Sequence, residues 1–218
     1  MRASESRDPC QVDARPCRVE DVSVGPGRGR ATTTLPVVPV EVVPYSPDWV
    51  PQFQRVADAL RVGLAEVSSA VIEHVGSTSV PGLAAKPIID IDVLADENEM
   101  SAAVSAMEAI GYVHRGDLGV TDREAFTAPD DTPRRNVYVC RRGTLSVRNH
   151  LAVRDVLRRS ADLRDEYGAV KLTLAAEPGM DVETYIARKS AVLQKVLAVS
   201  DLTAEERLEI LRLNDPSA

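Results

Sequence analysis

The stretch from His74 to Leu94, HVGSTSVPGLAAKPIIDIDVL, limits what this chain can become more than any other. Ile88 to Leu94 alternates apolar and acidic residues, the pattern of a half-buried strand, because successive side chains on a strand point to opposite faces. Ile89, Ile91 and Val93 are therefore expected in the core. Asp90 and Asp92 project together from the other face, with Cα atoms roughly 6.8 Å apart. Val71 to Val75 reads as a short preceding strand, which gives way at Gly76 and Ser77 to a turn of small residues. Glycine lets a backbone approach a phosphate closely, and Ser77, Thr78 and Ser79 offer hydroxyl and amide donors. Two carboxylates on one rigid face are suited to divalent cations that clamp the attacking and leaving oxygens of a phosphoryl transfer. Oxygen ligands favour magnesium over zinc. An Asp-x-Asp pair alone arises on any solvent-facing strand, and the turn alone is explained by packing. Together, at this separation, they point to a phosphate-and-metal site.

The surrounding pattern is mixed. Val37 to Val43 is β-branched and reads as a strand, at an edge because of Pro39. Ser46 or Asp48 is placed to cap a helix in which Phe53, Val56, Ala57, Leu60, Leu64 and Val67 recur at three and four. Met100, Val104, Met107 and Ile110 predict another helix, closed at Gly111. Further strands are expected over Glu124 to Ala128, Asn136 to Cys140 and Leu145 to Arg148, with a turn at Pro129 to Pro133. Beyond these the chain reads as helical. Leu163, Tyr167, Val170 and Leu174 form one stripe, stopped by Pro178 and Gly179, and Val182, Tyr185, Ile186, Lys189, Leu193 and Val196 form another. Thr203 with Glu206 is a capping-box signature.

Residues 1–36 differ in composition, with Pro9, Pro16, Pro26 and Pro36, Gly25, Gly27 and Gly29, and few large apolar groups. Such a segment buries too little to offset the entropy of ordering, so it is expected to be a disordered extension, with one domain over 37–218. Its glycines do not form a phosphate loop, because no apolar strand precedes them and no helical pattern follows. The whole chain has 26 Lys and Arg against 33 Asp and Glu, a net charge of −7. That balance argues against a nucleic-acid partner, since affinity for a polyanion rests on cations. No apolar run approaches the roughly 20 residues that span a bilayer, so no membrane association is expected. Cys10, Cys17 and Cys140 are odd in number and follow no secretory pattern, so a disulfide framework is not expected and a cytoplasmic location is. His74, His114 and His150 lack zinc spacing, and each reads as an ordinary polar or core residue.

The Gly76-Ser77 pair followed by the acidic strand Ile89 to Val93 resembles the signature of the nucleotidyltransferase superfamily, and HVGSTSVPGLAAKPIIDIDV is similar to its GrpB-like branch. The resemblance runs from Val42 to about Val199. It includes Tyr45 with Trp49 and Phe53, Gly111-Tyr112, Arg123 with Phe126, Arg154-Asp155, Leu157-Arg158, Tyr167 with Lys171, and Tyr185 with Lys189. It implies an α+β fold: a nucleotidyltransferase-like mixed sheet with flanking helices and a helical C-terminal part. In one respect the chain departs from the family. Where a His-x-His usually stands on a later strand, and polymerase-like members place a third carboxylate, this sequence reads Asn136-Val137-Tyr138. Asp122 and Glu124 are the nearest substitutes, or else solvated surface charge.

The resemblance implies that Asp90 and Asp92 are catalytic and hold Mg²⁺, and that Gly76, Ser77 and Thr78 hold phosphates. Lys86, Arg123, Arg154, Lys171 and Lys189 are then expected to bind triphosphate or acceptor. Tyr167 with Lys171 and Tyr185 with Lys189 are each four apart on one helix face, and each lysine either snorkels to solvent or points into the cleft. The expected activity is a magnesium-dependent transfer of a nucleoside monophosphate from a nucleoside triphosphate to a small-molecule acceptor. The competing reading is a non-catalytic nucleotide- or metabolite-binding protein that keeps the fold, and fold alone does not separate the two.

Overall fold

The three-and-four spacing around Phe53 forms helix α1 (Trp49–Gly63), which buries Trp49, Val56, Ala57 and Leu60. The computed structural model to which it belongs describes residues 40–214. The extension expected over 1–36 and residues 37–39 of the first expected strand lie outside the described residues. Neither capping candidate of α1 bonds the helix through its side chain; the Ser46 hydroxyl instead accepts from the Asp48 amide at 3.3 Å.

Among the described residues, five strands form one mixed sheet: β1 (Val71–Val75), β2 (Ile89–Ala95), β3 (Val113–His114), β4 (Arg123–Thr127) and β5 (Arg135–Arg141), in the spatial order β1-β2-β5-β4-β3. Only β2 and β5 run parallel; the other neighbours are antiparallel. At two residues, β3 is too short to carry a readable alternation in the sequence. The strand expected over Val37 to Val43 reduces, within the described residues, to one bridge in which Val43 and Ala85 exchange two backbone hydrogen bonds of 2.9 Å.

The alternation on β2 sorts the two faces of the sheet. Ile89, Ile91 and Val93, with Val137, Val139 and Phe126, pack under α1 and α2 (Met100–Ala109) as the largest apolar cluster. The opposite face carries Glu73, Asp90, Asp92, Asn136, Tyr138 and Arg123, which the register sets side by side. This face is covered as well. Helix α3 (Leu145–Arg159) lies over it, with Val147 and Leu151 on Leu94, Ala125, Tyr138 and Cys140. The expectation of a strand at Leu145 to Arg148 is therefore corrected: these residues are the first turn of α3. Four residues that alternate apolar and polar fit either period. Carried on to Arg159, Val147, His150 or Leu151, Arg154 and Leu157 recur at helical intervals, and Leu145 packs against the C-terminal helices.

Helices α4 (Ala161–Ala175), α5 (Val182–Ala198) and α6 (Ala204–Asn214) form the helical C-terminal part that the resemblance implied. The architecture is thus α+β, a mixed sheet with flanking helices. The Thr203 amide donates to Glu206 at 2.8 Å and the Glu206 amide donates to the Thr203 hydroxyl at 3.2 Å, the reciprocal bonds of the capping box. No helix among the described residues is long and apolar enough to cross a membrane.

Candidate active site

Strand β1 ends at Val75, whose register partner on β2 is Asp90. The next residue, Gly76, turns away with φ 68°, a conformation costly for any residue with a Cβ. Space demands glycine as well. A Cβ there would lie 2.1 Å from Asp90 Oδ2. The acidic strand and the turn are thus in direct contact, which is the juxtaposition expected from their spacing.

The turn is held from inside. The Thr78 hydroxyl donates to the Ile88 carbonyl at 3.3 Å and shares a 3.1 Å hydrogen bond with His74 Nε2. With its one hydrogen committed, Thr78 accepts, so Nε2 carries the imidazole proton. Burial, reinforced by Arg158 and Arg154, lowers His74 to about 4 and keeps that ring neutral. Thr78 is 1% exposed, so its hydroxyl is part of the turn's scaffold and does not reach the cleft. Ser77 behaves differently: its hydroxyl accepts from Lys171 Nζ of α4 at 2.9 Å. The same nitrogen donates to the Ala84 carbonyl and lies 4.6 Å from the Tyr167 ring centre. Burial, with the Lys189 charge adding and Asp90 opposing, lowers Lys171 to about 6. A neutral amine has two N–H groups, and both acceptors here are satisfied by them.

Each aspartate has one oxygen engaged. Asn136 Nδ2, from the neighbouring β5, donates to Asp90 Oδ1 at 2.8 Å. His150 Nδ1, from α3, meets Asp92 Oδ2 at 2.7 Å. Asp92 is fully buried, and its Oδ1 has no hydrogen-bond partner among the described residues. Burial raises the Asp90 carboxyl above its ordinary range and Asp92 adds to this, while Asn136, His150 and Lys189 oppose it. For His150, burial favours the neutral ring, but the charge and hydrogen bond of Asp92, with Asp90 behind it, prevail and raise it.

The remaining expected site residues divide. Lys189 and Lys86 each lie 5.4 Å from the centre of the Tyr185 ring, and burial lowers Lys189 against the pull of Asp90. Lys189 therefore belongs to the cleft side of its helix. Arg154 is engaged elsewhere: it binds Glu73 at 2.6 Å, Asp155 at 2.7 Å and the His74 carbonyl at 3.2 Å. Arg123 is wholly buried under α3, 4.5 Å from the Tyr138 ring centre. Asp122 pairs with Arg141 at 2.5 Å and Glu124 with His114 at 2.6 Å, so neither supplies a third carboxylate beside Asp90 and Asp92. His150, read from sequence as ordinary, is the residue that sequence reasoning missed. Its signal was there: continued as a helix, Val147, His150, Arg154 and Leu157 make one stripe facing the acidic strand.

Asp92 Oδ1 is buried without a hydrogen bond among the described residues, which is costly for a carboxylate oxygen, and Asp90 Oδ2 stands on the same sheet face against the Gly76 turn. That donor set fits a single oxygen-seeking cation completed by oxygens of a bound ligand. It does not make a closed protein cage, since no group of three His, Cys, Asp or Glu side chains among the described residues is placed to hold a metal.

Fold and site together define an α+β protein in which a small-residue turn abuts a paired acidic strand. A profile described as GrpB protein matches residues 39–199, and the chain belongs to the GrpB family. A UPF0157 protein of Halalkalibacterium halodurans is 35% identical over 166 residues, covering 75% of this chain and 84% of that protein. The crystal structure of conserved protein GrpB from Enterococcus faecalis superposes with a TM-score of 0.62 at 32% identity, over 72% of this chain and 98% of that one. The Cid1 poly(U) polymerase has a TM-score of 0.45 at 18% identity, over 59% of this chain and 43% of its own. From that last likeness no residue correspondence follows.

Proposed function

We propose that this chain is a magnesium-dependent nucleotidyltransferase, moving a nucleoside monophosphate from a nucleoside triphosphate to a small-molecule acceptor. The observation that carries the reading is the contact of Gly76 with Asp90 beside the unsatisfied, buried Oδ1 of Asp92. Asp90 and Asp92 would hold the magnesium ion, which neutralises phosphate charge and polarises the reacting phosphoryl group when bound. The amides at Gly76 and Ser77 receive phosphate oxygens. Lys171 and Lys189 both feel the charge of Asp90, and an arriving polyphosphate raises both, because an opposite charge favours the ammonium. Lys86 and Tyr185 flank the cleft on the α5 side, while Arg123 and Arg154 act by holding the sheet face beneath α3.

The second reading, a nucleotide- or metabolite-binding protein without chemistry, is favoured by Asn136. It stands on β5 beside Asp90 and donates to it where a third carboxylate would accept a second cation. Calorimetric titration of a non-hydrolysable triphosphate, with and without magnesium, separates these readings from no function at this site. Binding by the wild type only with magnesium, lost in Asp92→Asn, supports the metal site, and pyrophosphate release on screening acceptors then supports transfer. Equal affinity in all four titrations, or none in any, ends the magnesium-dependent reading.

A further inference from the structure

We propose that His150 is the positioning residue of the metal site: by engaging Asp92 Oδ2 it turns the carboxylate so that Oδ1 alone faces a divalent cation. This inference rests on the magnesium reading above. Its basis is a match between a helix and a strand pair. Glu73 and Asp92 are direct partners across β1 and β2, so their side chains stand next to each other on one face. His150 and Arg154 are four apart on α3 and so neighbour one another on its surface. The two pairs meet face to face, Arg154 on Glu73 at 2.6 Å and His150 on Asp92 at 2.7 Å.

The two contacts end differently. The Glu73 side chain is 28% exposed, so water reaches it, and it needs nothing further. Asp92 is sealed, with its side chain at 0%, and one of its oxygens is supplied with a donor while the other is not. A purely structural ion pair gains nothing from that asymmetry, because the unmatched oxygen bears the full cost of desolvation. A ligand-orienting pair requires it. A carboxylate has no proton to donate, so Nδ1 carries the hydrogen, and the imidazole fixes both the rotation of the carboxylate and which oxygen remains. Outer partners of this kind orient metal ligands elsewhere, and their loss typically costs about 10–100-fold in metal affinity.

The test compares His150→Asn with His150→Gln in the full chain. The asparagine amide nitrogen falls at the position of Nδ1, whereas the glutamine nitrogen falls nearer that of Nε2, so only the first retains the donor. The His150 side chain is 20% exposed, which leaves room for either amide. Manganese binding is read by electron paramagnetic resonance, with and without a non-hydrolysable triphosphate, alongside urea unfolding of each variant. The expected result is about 10–100-fold weaker manganese binding by His150→Gln and recovery of most of that loss in His150→Asn, at similar unfolding midpoints. Equal binding by the two folded variants overturns the inference and leaves the magnesium reading standing. Loss of cooperative unfolding in both also overturns it, by assigning His150 to the fold alone. Absence of manganese binding by the wild type under both conditions ends the magnesium reading, and this inference with it.

Discussion

Gly76 is the residue whose replacement tests the contact between turn and acidic strand most directly. Gly76→Ala imposes a Cβ on a backbone at φ 68° and drives it to 2.1 Å from Asp90 Oδ2. The backbone conformation alone costs about 1–3 kcal/mol for a residue other than glycine, and the clash adds to it by displacing Asp90. The expected outcome is a lowered urea midpoint together with loss of metal-dependent triphosphate binding. Lys171 makes a prediction in pH. Its ordinary value of 10.5 falls to about 6 in the folded protein, chiefly by burial. Between these values the unfolded chain binds a proton that the folded one does not, so stability rises with pH from about 6 towards 10.5 and is flat in this respect below 6. Lys171→Met removes the titrating group. Wild-type stability minus that of the variant should therefore climb between pH 6.5 and 9 by up to about 1.4 kcal/mol per unit. A difference that stays constant across parallel urea titrations would show that Lys171 is protonated when buried.

Among the elements, α6 is held by Ile210, buried against Leu193 and Leu197 of α5, and by polar contacts at its first turn. Thr203 and Glu206 exchange the two bonds of the capping box, and Glu206 also accepts from Arg148 of α3 through both terminal guanidinium nitrogens. Thr203→Ala is expected to cost about 1 kcal/mol. Glu206→Ala should destabilise more than Thr203→Ala, because it breaks the cap and the link between helices at once, and 1 M salt should narrow the gap by screening the ion pair. Chemical unfolding of both variants at two ionic strengths checks the order. The capping box was legible beforehand because it is a four-residue pattern with a local mechanism. Helix α3 was less so. Its first four residues, Leu145 to Arg148, satisfy a period of two, and only the length of the stripe through Arg159 discriminates in favour of a helix.

For the molecule as a whole, the buried apolar residues among those described fall into five clusters, drawn from the sheet, the helices and the loops between them. Deleting residues 1–36 is accordingly expected to move the melting temperature by less than about 2 °C, a shift of under about 1 kcal/mol in a domain of this size. Loss of cooperative melting in the truncated protein would show that this segment packs. The acidic strand, the glycine turn, the helical stripes and the capping box were readable in the amino-acid order, because periodicity and turn chemistry act over a few residues at a time. The partners of the buried polar groups were not. His150 meets Asp92 across 58 positions and Lys171 meets Ser77 across 94, and no local pattern specifies which distant donor a sealed carboxylate or hydroxyl receives. That choice is made by packing. The face of the sheet that holds the aspartates is covered by α3, and once the helix is seated on its apolar residues, Val147 and Leu151, its polar residues fall where Glu73 and Asp92 already stand.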